Sequence, residues 1–405
     1  MNVGGPGYVA VDGTRYVAEE SVSGGEVARL ASVKGSQDPQ LYQTYREGDI
    51  RIAQPIADGT YDLTFHFAEP EELARGERVF HVYAEGKRVI WFTDVMLWRD
   101  GKVRSALTVT APDVIVDDGE LNITFEALAR QPVLSALQAR KKHTRKPSWQ
   151  LAWSDEFDTD GPPDSLKWNI EEWTSGVVND EDQVYTARLK NVRVEDDHLI
   201  IEAHKEDYLD AKYTSARIQS SGKADFLYGR IEVKAKLPKG QGSWPAIWML
   251  PSKPFHYATN CSEGVQWQGN DDCDAWPNSG EIDIMEHVGY MLYSIHSTVH
   301  SKAYYWKKWN QRKGRIMLGD VTDAFHVYAL EWSPERIDIL VDDTVYLTYI
   351  NEGNGWQEWP FDQPFHVILN YAVGGAWGRA GGPIDDSVFP QQMLVDYVRY
   401  FRQTD

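Results

Sequence analysis

The sequence predicts an all-β protein of two domains, each made of stacked antiparallel sheets. Short segments that alternate apolar and polar residues recur along the chain, turn residues separate them, and no long stretch has a helical period. This pattern is typical of a β-sandwich or a jelly roll. The strands predicted in the first part are 60–69, 78–86 and 121–128, and those in the second part are 199–205, 228–238, 326–333, 336–343 and 365–375.

The domain boundary is predicted from composition. A chain of 405 residues is too long for one ordinary core. Of its 16 tryptophans, only Trp91 and Trp98 precede residue 140. The run RKKHTRKPS at 140–148 is basic and poor in apolar residues, as solvated linkers are. We therefore predict a first domain at 1–140, a basic linker at 141–148 and a second domain at 149–405.

Charge and hydropathy narrow the function classes. The net charge of −20 argues against nucleic acid as a partner and weakly against acidic polysaccharides, whereas a neutral glycan meets no repulsion. There is no apolar stretch of about 18 residues, so no membrane partner is expected. We expect a monomer that is secreted, periplasmic or at the cell surface, with any signal peptide already removed.

The only two cysteines, Cys261 and Cys273, flank eleven polar, Gly- and Asp-rich residues. Zinc takes about four ligands, and no second Cys or His pair lies nearby. A disulfide that closes this loop is predicted, and it fits an extracytoplasmic protein. Two unrelated thiols are the alternative.

The run SGEIDIMEHVG at 279–289 predicts a catalytic strand. On a strand, Glu281 and Asp283 share one face and Ile282 and Ile284 share the other, whereas a helix would set the two acids on nearly opposite sides. Glu286 breaks this period, and one inserted residue, a β-bulge near Met285, returns it to the acidic face.

Three carboxylates on one face repel each other, so one should stay protonated. A solvated edge strand is the bland alternative. Glycoside hydrolysis needs this arrangement, with one carboxylate that attacks the anomeric carbon and one acid that protonates the leaving oxygen.

GEIDIMEH resembles the active-site strand of glycoside hydrolase family 16, whose pattern is Glu-x-Asp-x-x-Glu, in its bulged, laminarinase-like branch. Segments 151–158, 179–203, 215–251, 365–378 and 395–401 extend the resemblance over about 150–403. It implies a β-jelly-roll and retaining endo-hydrolysis, with Glu281 as nucleophile, Glu286 as general acid/base and Asp283 assisting. The residues alone leave the order of the two glutamates open.

The resemblance implies a neutral β-1,3-glucan as substrate. Mixed-linkage glucan, agar or carrageenan, and transglycosylation are alternatives, and a non-catalytic glucan-binding protein is disfavoured because both glutamates are present. The implied substrate contacts are Asn179, Arg217, Trp244, Trp248, His300, Asn370 and Trp377. For Trp248 and His300 a place in the core is an equal alternative, and for Arg217 a structural ion pair.

No cofactor is expected for catalysis, but a structural calcium ion is implied at Glu156, Asp197 and Asp396, although the family usually has Gly where Asp197 stands. The loop 256–280 is expected to wall one end of the cleft. Segments 2–13, 41–48, 61–70 and 76–87 resemble the malectin domain, which implies a carbohydrate-binding β-sandwich. Tyr42, Tyr45 or Trp98 are its candidate sugar platforms, and a spacer domain without ligand is the alternative.

Overall fold

The computed structural model describes residues 1–99, 101–142, 149–258, 264–268, 273–319 and 321–404. Strands dominate this part of the chain. The helices described are the single-turn α1 (Val95–Trp98) and α2 (Gly375–Gly378) and the 3-10 turns Pro39–Tyr42, Trp306–Lys308 and Asp386–Val388. Within the described ranges, no helix is long and apolar enough to cross a membrane.

The strands of residues 1–142 are β1 (Tyr8–Val9), β2 (Arg15–Tyr16), β3 (Val22–Ser23), β4 (Glu26–Arg29), β5 (Thr44–Glu47), β6 (Arg51–Pro55), β7 (Gly59–Phe67), β8 (Val79–Ala84), β9 (Lys87–Thr93), β10 (Leu107–Val116), β11 (Glu120–Ala129), β12 (Val133–Leu134) and β13 (Ala136–Lys141). Those that follow are β14 (Trp149–Asp155), β15 (Asn169–Glu171), β16 (Gln183–Tyr185), β17 (Val192–Glu195), β18 (His198–Tyr208), β19 (Ala211–Ser215), β20 (Arg217–Gln219), β21 (Asp225–Phe226), β22 (Gly229–Lys236), β23 (Ser243–Pro251), β24 (Glu281–Glu286), β25 (Ser294–His300), β26 (Arg312–Met317), β27 (His326–Trp332), β28 (Arg336–Val341), β29 (Thr344–Ile350), β30 (Phe365–Val373) and β31 (Gln391–Gln403).

The eight strands predicted from alternation are all confirmed. They correspond to β7, β8, β11, β18, β22, β27, β28 and β30. The prediction succeeds because side chains on a strand point alternately to the two faces of a sheet, and one face of each sheet is buried.

Packing divides the described chain into two units. The first comprises the described residues of Met1–Lys146 together with Tyr304–Leu318, and the second comprises those of Pro147–Ala303 and Gly319–Asp405. Residues 304–318 fall in the predicted second domain, 149–405, but they pack with the first unit. Their strand β26 pairs in parallel with β10, with Thr110 opposite Ile316. Of the predicted linker 141–148, Lys141 ends β13, and residues 143–148 lie outside the described residues. The remaining boundaries stay predictions.

In the first unit, the strand orders are β13-β7-β10-β26, β3-β6-β11-β8-β9, β12-β5-β4 and β1-β2. In the second unit, one sheet has the order β25-β24-β23-β30-β20-β15, with β21 beside β30. The other has the order β16-β19-β18-β31-β22-β27-β28-β29, with β14 and β17 alongside.

The two sheets of the second unit pack as a sandwich. Trp332 of β27 meets Phe365 of β30 edge-on, with ring centroids 5.5 Å apart. Ile247 and Met249 of β23, and Ile282 and Ile284 of β24, are fully buried in this interior. Because alternate residues point the other way, the opposite face of the same strands is left for polar and aromatic side chains.

Candidate active site

The carboxylate run forms the bulged strand that the sequence predicts. On one side of β24, Met285 lies opposite Ile247 and Asp283 opposite Trp248, so the ladder passes over Ile284. On the other side, Asp283 lies opposite Thr298 and Glu286 opposite His296. Three steps on β24 therefore match two on each neighbour, which confirms the bulge, at Ile284 and Met285, and moves Glu286 to the face of Glu281 and Asp283.

The strand starts immediately after Gly280, where a side chain would not fit. Gly280 has φ +90°, and an added Cβ would lie 2.9 Å from atoms of Phe361 and Pro360. Only glycine combines this backbone conformation with so close an approach. Gly280 thus sets the direction in which Glu281 enters the sheet.

Each glutamate of the pair accepts a hydrogen bond from an indole. Nε1 of Trp276 donates to Oε2 of Glu281 at 2.9 Å, and Nε1 of Trp244 donates to Oε1 of Glu286 at 3.2 Å. His300, opposite Glu281 on β25, has Nε2 at 3.7 Å from Oε1 of Glu281 and 3.6 Å from Oδ2 of Asp283. Fixed N–H donors of this kind orient the carboxylates and favour their ionised forms.

The two glutamates are electrostatically coupled. Burial raises the pKa of Glu281 to about 8, the charge of Glu286 adds to this, and the Trp276 hydrogen bond and Arg217 oppose it. The pair therefore keeps one proton at neutral pH. A carboxyl pair that shares one proton can supply both an acid and a nucleophile.

A row of paired residues extends from Glu286 across the sheet. Glu286 lies opposite Ala246 of β23, Ala246 opposite Asn370 of β30, and Asn370 opposite Arg217 of β20. Trp244 and Trp248 are two residues before and after Ala246, so both share its face. Two indoles thus flank a small residue beside the carboxylates, which leaves room for a sugar ring.

Trp248 is held by a chain of hydrogen bonds. Its Nε1 donates to Oδ1 of Asn370 at 2.7 Å, and Nδ2 of Asn370 donates to the hydroxyl of Tyr185 at 3.0 Å. That hydroxyl donates to Oε2 of Glu181 at 3.0 Å. The half-buried Trp248 is therefore fixed in the face of the sheet.

Arg217 is buried and forms an ion pair with Glu171 of β15. Its guanidinium carbon lies 4.3 Å from the ring centroid of Trp173 and 4.8 Å from that of Trp248. The structural ion pair is thus present, the guanidinium also lies over two aromatic rings, and the role of Arg217 as a substrate contact stays a prediction.

Trp377 and Asn179 lie together near α2. The Trp377 ring meets the rings of Trp244 and His296 edge-on, with centroids 5.5 and 5.0 Å away. Asn179 is exposed, its carbonyl accepts the N–H of Ala376, and its side chain reaches Glu181 at 3.4 Å. Trp377 therefore joins the group around Glu286, whereas Asn179 does not contact the carboxylate trio directly.

Sequence reasoning missed several residues of this site. Trp276 was assigned to the wall of the cleft, yet it contacts Glu281 itself. Glu171 and Trp173 around Arg217 carried no recognisable signal. Glu181 and Tyr185 had one, because the alternation from Asn179 to Tyr185 places them on one face.

Two of the three residues predicted to bind calcium form ion pairs with basic side chains. Strand register brings Glu156, just after β14, and Asp197, just before β18, towards Asp396 in the middle of β31. The Glu156 carboxylate accepts two hydrogen bonds from Arg399, and Asp396 pairs with Lys234 at 2.6 Å. The carboxylates of Glu156 and Asp396 thus contact cationic side chains, whereas calcium takes oxygen ligands. Calcium stays a prediction, for which melting curves with and without a chelator are the measurement.

Of the two cysteines in the predicted disulfide, Cys273 is among the described residues. Cys273 is buried, and Cys261 lies outside the described residues. The disulfide and the role of its loop in the cleft therefore stay predictions.

The sugar platforms predicted in the first unit are wrong as stated, because all three side chains are buried. Tyr42, Tyr45 and Trp98 have relative exposures of 2%, 7% and 5%. The Tyr42 hydroxyl lies 2.9 Å from Nδ1 of His66, and the guanidinium of Arg315 lies over the Trp98 ring. None of these rings presents a face to a sugar.

Residues 179–399 match the model of glycosyl hydrolases family 16, and residues 1–142 match that of the malectin domain. The chain belongs to glycosyl hydrolases family 16 and is a glycoside hydrolase.

The chain is similar to proteins that are named as β-glucanases or laminarinases. A β-glucanase from Rhodothermus marinus is 47% identical over 264 residues, which are 64% of this chain and 87% of the relative. The X-ray structure of the laminarinase from Rhodothermus marinus covers 64% of this chain and 100% of its own, with 47% identity and a TM-score of 0.58. The laminarinase catalytic domain from Thermotoga maritima MSB8 covers 64% and 99%, with 36% identity and a TM-score of 0.55.

Proposed function

We propose that this chain cleaves internal linkages of a neutral β-1,3-glucan outside the cytoplasm, with retention of configuration. The observation that carries the proposal is the bulged strand on which Glu281, Asp283 and Glu286 share one face. The relatives named as laminarinases favour a β-1,3-glucan, and the net charge of −20 disfavours acidic polymers.

In this proposal Glu281 is the nucleophile and Glu286 the acid/base. At this step the proton that the pair shares is on Glu286, which donates it to the glycosidic oxygen while the ionised Glu281 forms a bond to the anomeric carbon and the bond to the leaving sugar breaks. Glu286 then takes a proton from water, whose oxygen displaces Glu281 from the same carbon. Asp283, buried between them, assists by orienting Glu281.

Trp244 and Trp248 act as stacking platforms for the sugar rings, because a sugar presents flat C–H faces. Asn370, Arg217 and His300 hold the platforms and carboxylates in place, and Trp377 packs behind Trp244. The first unit serves as a carbohydrate-binding module, which its match to the malectin domain supports.

Three variants test the assignment of roles. With a substrate that carries an activated leaving group, we expect Glu286→Gln to accumulate the glycosyl-enzyme and to be rescued by azide with retention. Glu281→Gln should lose activity by a factor of roughly 10³ or more, and a Glu281→Gly variant should be rescued by azide with inversion. Full activity in Glu281→Gln would contradict the mechanism.

The substrate is tested by incubating the enzyme with laminarin, mixed-linkage β-glucan, agarose and carrageenan and identifying the products. Release of a series of oligosaccharides from laminarin is the expected result. If no oligosaccharides are released from laminarin or from mixed-linkage glucan, the substrate assignment is wrong. The roles of the carboxylates would then be tested by the azide experiment alone.

A further inference from the structure

Two tryptophans of the first unit expose large parts of their indoles. Trp306 is 46% exposed and Trp309 is 55% exposed. Both lie in Tyr304–Leu318, the segment that packs with the first unit. Trp306 opens the 3-10 turn Trp306–Lys308, and Trp309 follows it. Exposed apolar groups set close together mark binding surfaces more often than scattered ones do.

A buried lysine holds this turn in place. Nζ of Lys102, which is 7% exposed as a residue, donates to the carbonyl oxygen of Trp306 at 3.3 Å and lies 5.5 Å from the ring centroid of Trp309. At the other end, the N–H of Tyr305 donates to Oδ1 of Asn310 at 3.2 Å. The two indoles are therefore positioned before any ligand arrives.

The backbone at Trp309 is in a conformation that bulky residues avoid. Its φ is 61° and its ψ is 32°, in the left-handed region. Strain of this kind persists where surrounding contacts enforce it, and it concentrates at functional sites. Here the Lys102 contact and the turn enforce it while the ring remains more than half exposed.

The segment has a firm base in the first unit. The guanidinium carbon of the buried Arg315 lies 3.9 Å from the ring centroid of Trp98, and β26 pairs with β10. Trp98 is thus buried against the segment, whereas Trp306 and Trp309 of the same segment are exposed.

We propose that Trp306 and Trp309 form a binding platform for a neutral β-glucan chain, in addition to the cleft that holds the carboxylates. Aromatic faces stack on the C–H faces of sugar rings, and the ammonium groups of Lys307 and Lys308 can donate to hydroxyl oxygens. The choice of polymer rests on the proposed function. The three nearby lysines also admit an anionic polysaccharide, which the experiment separates.

The test measures binding of the full chain to insoluble β-1,3-glucan and, separately, to carrageenan in a Glu281→Gln background, so that the polymer is not cleaved. Binding isotherms are compared for the parent, Trp306→Ala, Trp306→Ala with Trp309→Ala, and the corresponding double Phe variant. Leu128→Ala is the matched control, because Leu128 is an exposed apolar residue, at 47%, of the same unit. Thermal midpoints verify that each variant folds. If no substitution at Trp309 is tolerated, the single Trp306→Ala variant provides the comparison.

We expect the double Ala variant to bind about tenfold more weakly, the Phe variant to keep most of the affinity, and Leu128→Ala to match the parent. Affinity of the double Ala variant within twofold of the parent would overturn the proposal. So would a loss confined to carrageenan, which would indicate an anion site. Hydrolysis of laminarin by the chain with Glu281 intact tests the proposed function separately. Failure of the binding platform and failure of the proposed function are therefore distinguishable.

Discussion

The hydroxyl oxygen of Tyr346 lies 2.9 Å from the carbonyl oxygen of Ile284, and it donates a hydrogen bond to that carbonyl. Tyr346 belongs to β29 in the second sheet, and Ile284 is at the bulge of β24. The contact therefore crosses the interior of the sandwich to the point where the ladder is interrupted. It holds the bulge that places Glu286 beside Glu281.

We expect Tyr346→Phe to lower kcat by roughly tenfold and the free energy of unfolding by about 1–3 kcal/mol, because a buried carbonyl at the bulge loses its donor. Tyr349→Phe is the matched control, since Tyr349 is a buried tyrosine of the same strand whose hydroxyl donates to the carbonyl of Glu358 at 2.8 Å. It should lose similar stability and keep its kcat. Equal kcat values for the two variants would show that the bulge does not depend on Tyr346.

The pH dependence of activity should reflect the proton that the two glutamates share. With the pKa of Glu281 raised to about 8, kcat/KM should fall as the pH rises through that value, because the pair then loses its only proton. Trp276→Phe removes a donor that favours the ionised carboxylate, so the alkaline limb should move to higher pH. A limb that stays in place or moves down would contradict this account of Trp276.

The same raised pKa predicts how stability changes with pH. The fold favours the protonated form of Glu281, so this contribution is fully present below pH 4.5 and is lost as the pH rises towards about 8. Relative to Glu281→Gln, which cannot ionise, the native chain should become less stable across that window, by about 1.4 kcal/mol per pH unit at most. Denaturant unfolding at several pH values measures the difference, and parallel curves for the two proteins would refute the prediction.

Asn370→Ala should weaken substrate binding. It removes the acceptor of the Trp248 N–H and the donor to Tyr185, whose hydroxyl keeps its bond to Glu181. We expect kcat/KM on laminarin to fall about tenfold, mainly through KM, with a loss of about 1–3 kcal/mol in stability. In Trp248→Phe, which keeps a ring but has no N–H, kcat/KM should fall less than in Asn370→Ala. A larger fall in Trp248→Phe would show that the indole itself is the dominant contact.

The predicted disulfide can be tested without structural detail. Alkylation of the unfolded, unreduced chain followed by mass spectrometry should find neither Cys261 nor Cys273 modified. Replacement of both by Ser should then lower the free energy of unfolding by about 3 kcal/mol, because the loop is no longer closed in the unfolded chain. If the loop also walls the cleft, the size distribution of the laminarin products changes; unchanged sizes in a folded variant would leave it a surface loop.

The sequence alone predicted eight of the 31 described strands, the bulged carboxylate run and the chemistry that such a run supports. These features depend on side-chain period along one strand, which is a local property and can be read from neighbouring residues. Trp244 and Trp248 were implied by the resemblance to the family, and their positions two residues either side of Ala246 place them on one face of β23.

Which residues meet across the fold depends on how segments that are distant in the sequence pack together. The contact of Trp276 with Glu281, the support of Ile284 by Tyr346 and the pairing of β26 with β10 join residues from different loops and strands. Burial of Tyr42, Tyr45 and Trp98, and exposure of Trp306 and Trp309, have the same origin. An aromatic residue has no period of its own in a loop, so the elements that pack around it decide whether it is core or surface.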